Sequence, residues 1–305
     1  MENKKVPVLF LIFKRQKQAV LAFEPIRQYQ PERLYIAADG PRTTVKGEVE
    51  ECNATRKAIL DLIDWDCEVK TLFRDTNLGC TAAVNSGISW FFEQEEYGII
   101  NEDDIVLSLD FFKFCEILLP MYKDEERLMA ISSRNHSGRY TESDEYCFVN
   151  YVNIWGWATW RRAWLKNTQD FEGWNNFPKR KLISRYGWFC GLMSIYYYHK
   201  CSNPKINFGS WDYTWTYHIA RNDGVAIAPK VNLSGNVGIG VAGSANYQED
   251  DQDPYAFLRI GHIKWPLKIR EDIKIDKDQQ IYDQHDFLRV RKIGLKKKLR
   301  KLFQK

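Results

Sequence analysis

Three consecutive acids, Glu102, Asp103 and Asp104, stand in the stretch GIINEDDIVLSLDFF (98–112). Neighbouring carboxylates repel one another, so a chain that presents them between two apolar runs needs a cation to balance them. Mg²⁺ and Mn²⁺ prefer carboxylate oxygens and often take only one or two from a protein, filling their remaining positions with water and substrate phosphates. The cluster therefore suits a metal bridging protein and diphosphate. A solvated loop is the other reading, with Ser108 or Asp110 capping the helix that begins at DFFKFCEILL. A further acid, Asp212, lies between Trp211 and Tyr213 in GSWDYTWTYHI (209–219). Aromatic walls desolvate a carboxylate and strengthen it as a base. Ser210 or Asp212 also reads as the start of a helix over 212–221.

These acids need elements to position them. VPVLFLIF (6–13) reads as a buried strand followed by a helix, and RLYIAA (33–38) as a second strand closed by the turn DGP (39–41). Apolar residues recur at helical spacing from Val45 to Ile63. CEVKTLF (67–73) alternates as a strand, GCTAAVNSGISWFFE (79–93) reads as a helix of small residues, and YGII (97–100) as a fourth strand. Strands alternating with helices predict an α/β fold with a mainly parallel sheet flanked by helices, whose ligands bind beyond the carboxyl ends of the strands. The triplet sits at such an end. With no repeats and no Ser/Pro-rich linker, one domain is expected over 1–255, its nucleotide-binding half 1–105 and its acceptor-side half 106–255. Residues 256–305 form a short C-terminal appendage.

Composition narrows the function. The formal charge is +4, but residues 290–305 hold eight Lys or Arg and no acid, which leaves about −4 for the rest. A mildly acidic body does not suggest a nucleic-acid-binding groove, and no nucleic-acid partner is expected. The tail, with Val290, Ile293, Leu295, Leu299, Leu302 and Phe303 among its cations, suits an amphipathic helix on an anionic membrane or a solvated terminus. Seven cysteines without a CxxC pair fit free thiols. The apolar stretch near the N-terminus is too short for a signal peptide and lacks a cleavage site, so the chain is expected in the cytoplasm, with peripheral contact at the inner membrane face through its tail. GIGVAG (238–243) matches GxGxxG but precedes SANYQEDDQDP, which has no helical periodicity, so it reads as a flexible loop near the site. Eight of eleven tryptophans fall between Trp155 and Trp215, either as core or as a platform for sugar rings.

Taken in order, these motifs resemble the nucleotide-sugar glycosyltransferases of the GT-A (Rossmann-like) fold. The likeness extends to bacterial family 2-like or hemolytic-protein-like members and to the N-acetylglucosaminyltransferase that begins complex N-glycans. It spans roughly residues 6–222. EDD followed by DFF is similar to the family's acidic metal motif and its helix, AISSRNHSG (130–138) to the next strand and loop, WGWATWRRAW to an acceptor-side helix, and Trp211-Asp212 to the catalytic-base motif. The resemblance implies that Asp104 binds Mn²⁺ or Mg²⁺, that Glu102 and Asp103 contact donor sugar and ribose, and that Asp39 faces uracil. It also implies that Arg15 and the helix opening at Asn77-Leu78-Gly79 approach the diphosphate, that Asp212 is the base, and that Trp155, Trp157 and Trp211 line the acceptor side. The glycine-rich loop lacks the family's additional metal-binding His, and Asn246 or Asp250 falls in its region. The expected activity is inverting, metal-dependent transfer from a UDP-sugar to a hydroxyl of a glycan or lipid-linked oligosaccharide. A non-catalytic carbohydrate-binding protein and a sugar nucleotidyltransferase are the alternatives. The second would want a glycine-rich loop after the first strand, which IFKRQKQAV does not provide.

Overall fold

The computed structural model describes residues 5–135, 145–203, 205–206, 211–239 and 258–281. Its first strand, β1 (Val8–Ile12), is buried at every position, as a strand covered on both faces must be. Alternate side chains enter different cores: Val8, Phe10 and Ile12 face one layer, Leu9 and Leu11 the other. The chain continues through α1 (Gln16–Tyr29), β2 (Arg33–Ala38), α2 (Glu48–Asp61), β3 (Glu68–Phe73), α3 (Cys80–Phe92) and β4 (Tyr97–Glu102). These four strands are parallel in the order β3-β2-β1-β4. The chain steps outward from β1 to β3 and then returns to the other side of β1. The carboxyl ends of β1 and β4 therefore flank a switch point, where such sheets open a ligand crevice.

The second half extends the same sheet. After β5 (Ile105–Leu107) and α4 (Leu109–Met121) come β6 (Leu128–Ser132), β7 (Tyr146–Val149) and β8 (Trp157–Trp160). A single-turn α5 (Arg161–Trp164), α6 (Arg180–Tyr186), α7 (Trp188–Cys201), α8 (Asp212–Arg221), β9 (Val225–Pro229) and β10 (Ser234–Asn236) follow. Strand β8 runs antiparallel to β4 and completes an eight-stranded order β3-β2-β1-β4-β8-β6-β9-β7. The α/β class and the mainly parallel first half are as the sequence predicts. WGWATWRRAW is different: it is strand β8 plus one helical turn, and Trp157 and Trp160, three residues apart, face opposite cores of the fully buried strand. Helix α2 begins at Glu48, leaving Val45 and Val49 exposed.

Residues 258–281 are strapped to the domain. The Trp265 indole and the Ile263 amide donate to the Asp110 carboxylate at 3.1 and 3.0 Å, and Lys230 pairs with Asp276 at 2.6 Å. Ile263 and Leu267 join the core. Asp110 thus anchors this strap, and Ser108, at the cap position of α4, makes no side-chain cap bond. The basic tail, Asn246, Asp250 and most of the glycine-rich loop lie outside the described residues. No helix among the described residues is long and apolar enough to cross a membrane.

Close packing at β4 yields a stability test. A Cβ on Gly98 would overlap the Phe91 ring and lie 2.9 Å from the Pro7 carbonyl oxygen. Gly98→Ala should cost about 1–3 kcal/mol in urea unfolding; an unchanged midpoint would mean that the ring yields freely.

Candidate functional site

The triplet is presented by a turn held from below. The buried Asn101 side chain donates to the Ile105 carbonyl at 2.8 Å, closing the chain between β4 and β5 so that Glu102, Asp103 and Asp104 emerge at the sheet edge. Strand β10 pairs antiparallel with β5, and the Val237 amide donates to the Asp104 carbonyl at 2.8 Å. Gly238 then passes so close that a Cβ there would lie 2.5 Å from Asp104 Oδ2. The start of the glycine-rich loop therefore rests on the acidic turn, where the sequence reading put it.

The counter-cation is Arg15, two residues beyond Phe13 at the end of β1. Its guanidinium bonds Asp103 and reaches Asp104 Oδ2 at 3.0 Å, while the Phe13 amide donates to Asp103 at 3.4 Å. Burial opposes the Arg15 charge, but the two carboxylates outweigh it and raise its pKa. Asp103 is pushed up to about 6 by burial, with Arg15 pulling it down. Glu102 has no such partner. Burial, then the charges of Asp104 and Asp103, push it up to about 8, so a cation bound nearby would favour its ionised form. Its partial contact with water moderates that rise.

Asp39 closes the other side of the crevice. Its Oδ1 accepts from the Gly40 and Leu78 amides, each at 2.9 Å, and its Oδ2 from Asn77 Nδ2 at 2.9 Å and the Gly79 amide at 3.1 Å. Four donors fill a carboxylate. Asp39 therefore buckles the end of β2 to the entrance of α3, and a base contact would have to displace one of these bonds. Gly79 takes φ +81°, open to glycine, and starts α3 with no side-chain cap and no acid in its first turn. That N-terminus is left positive toward the crevice.

Cys80 reports how the groups converge. Desolvation and then the carboxylates of Glu102, Asp212 and Asp39 push its thiol up to about 11, against Arg15. The same Asp212 charge contributes to raising Glu102. Glu102, Asp212, Asp39 and Arg15 thus lie within electrostatic reach of Cys80, with Asn77 and Gly79 bonded to Asp39, and Asp103 and Asp104 paired with Arg15.

Asp212 begins α8, and tryptophans seat that helix. Trp211 stacks on Trp157 at 5.8 Å, and Trp215 meets Trp157 and Trp164 at 5.6 and 5.3 Å. Trp157 is 0% and Trp211 4% exposed. Their rings are core and offer no face to a sugar, so the expected acceptor role does not fall to them; they position Asp212 instead. Trp155 is half-buried, with the Arg134 guanidinium 4.2 Å over its ring.

As to metal, no group of three or more His, Cys, Asp or Glu among the described residues is arranged to hold an ion. The oxygens on hand still fit a hard cation that takes one or two carboxylates and completes its shell from a diphosphate. Asp104 is the half-buried candidate, and Arg15 now occupies that charge.

Sequence reasoning missed Glu48. It is 0% exposed, accepts from Lys14 Nζ and from the Arg42 amide and Nε, all at 2.8 Å, and so ties the ends of β1 and β2 together beneath the crevice. The signal was present: Glu48, Cys52, Thr55 and Ile59 share one helical face and are all buried.

No protein-family model and no curated protein matches the chain. Similar solved structures include HddC from Yersinia pseudotuberculosis complexed with GMP-PN, at 12% identity and a TM-score of 0.32 over 52% of this chain and 77% of that one. HddC without that ligand matches over the same shares at 11% identity and 0.32. UDP-glucose pyrophosphorylase complexed with UDP-glucose matches at 14% and 0.26, over 49% of this chain and 64% of the other. The class defined by the sheet itself is a mixed α/β, Rossmann-like fold with its acids at the switch point.

Glu48 gives a pH prediction. Its hydrogen bonds to Arg42 hold its carboxyl well below the usual range despite burial, with Lys14 assisting. A depressed folded pKa contributes stability above the unfolded pKa of about 4.5, lost as pH falls below it. Glu48→Gln should therefore lower stability at pH 7 by about 1–3 kcal/mol and lose less than wild type on acidification. Parallel urea curves at pH 7 and pH 4 with an unchanged difference would contradict this.

Proposed function

We propose that the chain is a glycosyltransferase that moves a sugar from a nucleoside-diphosphate sugar, UDP-linked by the resemblance above, to an acceptor hydroxyl with inversion. The observation that carries this reading is the bridge of Arg15 between Asp103 and Asp104, at the switch point and across from the uncapped start of α3. A diphosphate can replace the carboxylates as partner of Arg15 while the first turn of α3 receives its oxygens. Asp39 and Glu48 hold the surrounding loops without entering the chemistry.

Asp212 is the group suited to take the acceptor proton as the hydroxyl attacks the anomeric carbon from the face opposite the diphosphate. Its charge reaches the triplet, where it adds to the rise in the Glu102 pKa behind burial, Asp104 and Asp103. A divalent metal held by Asp104 would supply neutralisation of the departing diphosphate. The tryptophan stack keeps the base fixed relative to the sheet, which is what alignment of donor and acceptor requires.

Two variants test the assignment. Asp212→Asn should lower transfer about 10²–10⁴-fold with UDP affinity kept in calorimetry; normal turnover would sink the base assignment. Arg15→Met should act in opposite directions, weakening UDP about 10–100-fold and tightening Mn²⁺ measured alone, because two carboxylates lose their built-in cation. If both affinities fall together, Arg15 only supports the fold.

A further inference from the structure

Helix α7 is apolar on two faces. Cys190, Gly191 and Tyr198 point inward, and Gly191 packs so tightly on α6 that a Cβ would lie 2.5 Å from the Ile183 Cα. The opposite face carries Trp188 at 72% exposure, Phe189 at 47%, Leu192 at 42% and Tyr196 at 56%. Positions 188, 192 and 196 recur every four residues, so these side chains form one stripe along the helix. A helix apolar all round needs cover on both faces. Here one face is left open.

Charge decides what can cover it. Between Glu172 and Asp212 the chain has six Lys or Arg and no acid, and Lys181 among them pairs with Asp223 at 2.7 Å. Arg180 and Lys205 are exposed. A second copy of this surface would meet it with like charge, and so would the chain's own basic tail. An anionic surface complements that charge, and exposed aromatic side chains in a basic segment are the composition of a membrane-interface segment.

We infer that the α6–α7 hairpin is a docking surface for an anionic phospholipid bilayer, with Trp188, Phe189, Leu192 and Tyr196 entering the headgroup boundary and the cations of the segment meeting lipid phosphates. The docking is independent of what the crevice binds. It has a consequence that rests on the transferase reading: the Cys201 end of α7 lies close enough to feel the Asp212 charge, about 20 Å along the helix from Trp188. A lipid-linked acceptor would then reach the base from the membrane.

The test is flotation of the full chain with phosphatidylcholine vesicles, with and without 30% phosphatidylglycerol (roughly a physiological anionic fraction). Wild type should float only with the anionic vesicles. Trp188→Ser/Phe189→Ser/Leu192→Ser, checked for unchanged circular dichroism, should bind at least tenfold more weakly. Arg180→Gln and Lys205→Gln leave the apolar stripe intact and should each weaken binding about fivefold. Several results overturn the proposal: no flotation of wild type, equal flotation with neutral vesicles, or unchanged flotation of all three surface variants. Loss of flotation only in Lys296→Glu/Lys297→Glu/Lys298→Glu would assign binding to the tail and overturn it too. A dimer of wild type that the triple serine variant dissociates, without flotation, would make a second copy the occupant.

Discussion

The crevice depends on one guanidinium. Asp103 and Asp104 can sit side by side at a buried strand end because Arg15, delivered by the neighbouring strand, lies between them. Without it, burial and mutual repulsion would act unopposed on the pair, the same two effects that raise the pKa of Glu102. The pairing also spans the β1/β4 boundary. The same interaction that makes the acids tolerable fixes the two strand ends against each other at the point where the sheet opens. Arg15 can turn toward an anionic ligand only if another cation takes over the charge it leaves at Asp103 and Asp104.

Around that bridge the supporting groups divide by distance from the opening. Asp39 is saturated by four donors and Glu48 by Lys14 and Arg42, so the loops after β1 and β2 are held in place before any ligand arrives. The tryptophans do the same for the far wall: stacked rings wedge α8 against β8, and Asp212 sits at the first turn of the helix they hold. Preorganised walls of this kind reduce the ordering that binding must impose.

Much of the frame was legible. The apolar runs at 6–13, 33–38 and 97–100 became β1, β2 and β4, because fully buried parallel strands leave no alternation to misread. The acids at the end of β4 followed from that placement. The resemblance makes WGWATWRRAW an acceptor-side helix, whereas the residues form β8 and a single helical turn. The bridge between Arg15 and the acids, 88 residues apart in sequence, is not visible in local pattern, whereas Glu48 shares a helical face with Cys52, Thr55 and Ile59 that its acidic neighbours Glu50 and Glu51 obscure. The strap at 258–281 was expected as an appendage, yet Asp110 draws Trp265 and Ile263 onto the core. Long-range polar pairs are what a single sequence hides.

The most direct measurement is a crystal structure of the chain with UDP and Mn²⁺. The account predicts the diphosphate between Arg15 and the first turn of α3, with Arg15 moved from Asp104 toward phosphate oxygens. UDP bound away from the ends of β1 and β4, or an Arg15 still bridging Asp103 and Asp104 beside an occupied site, would contradict it.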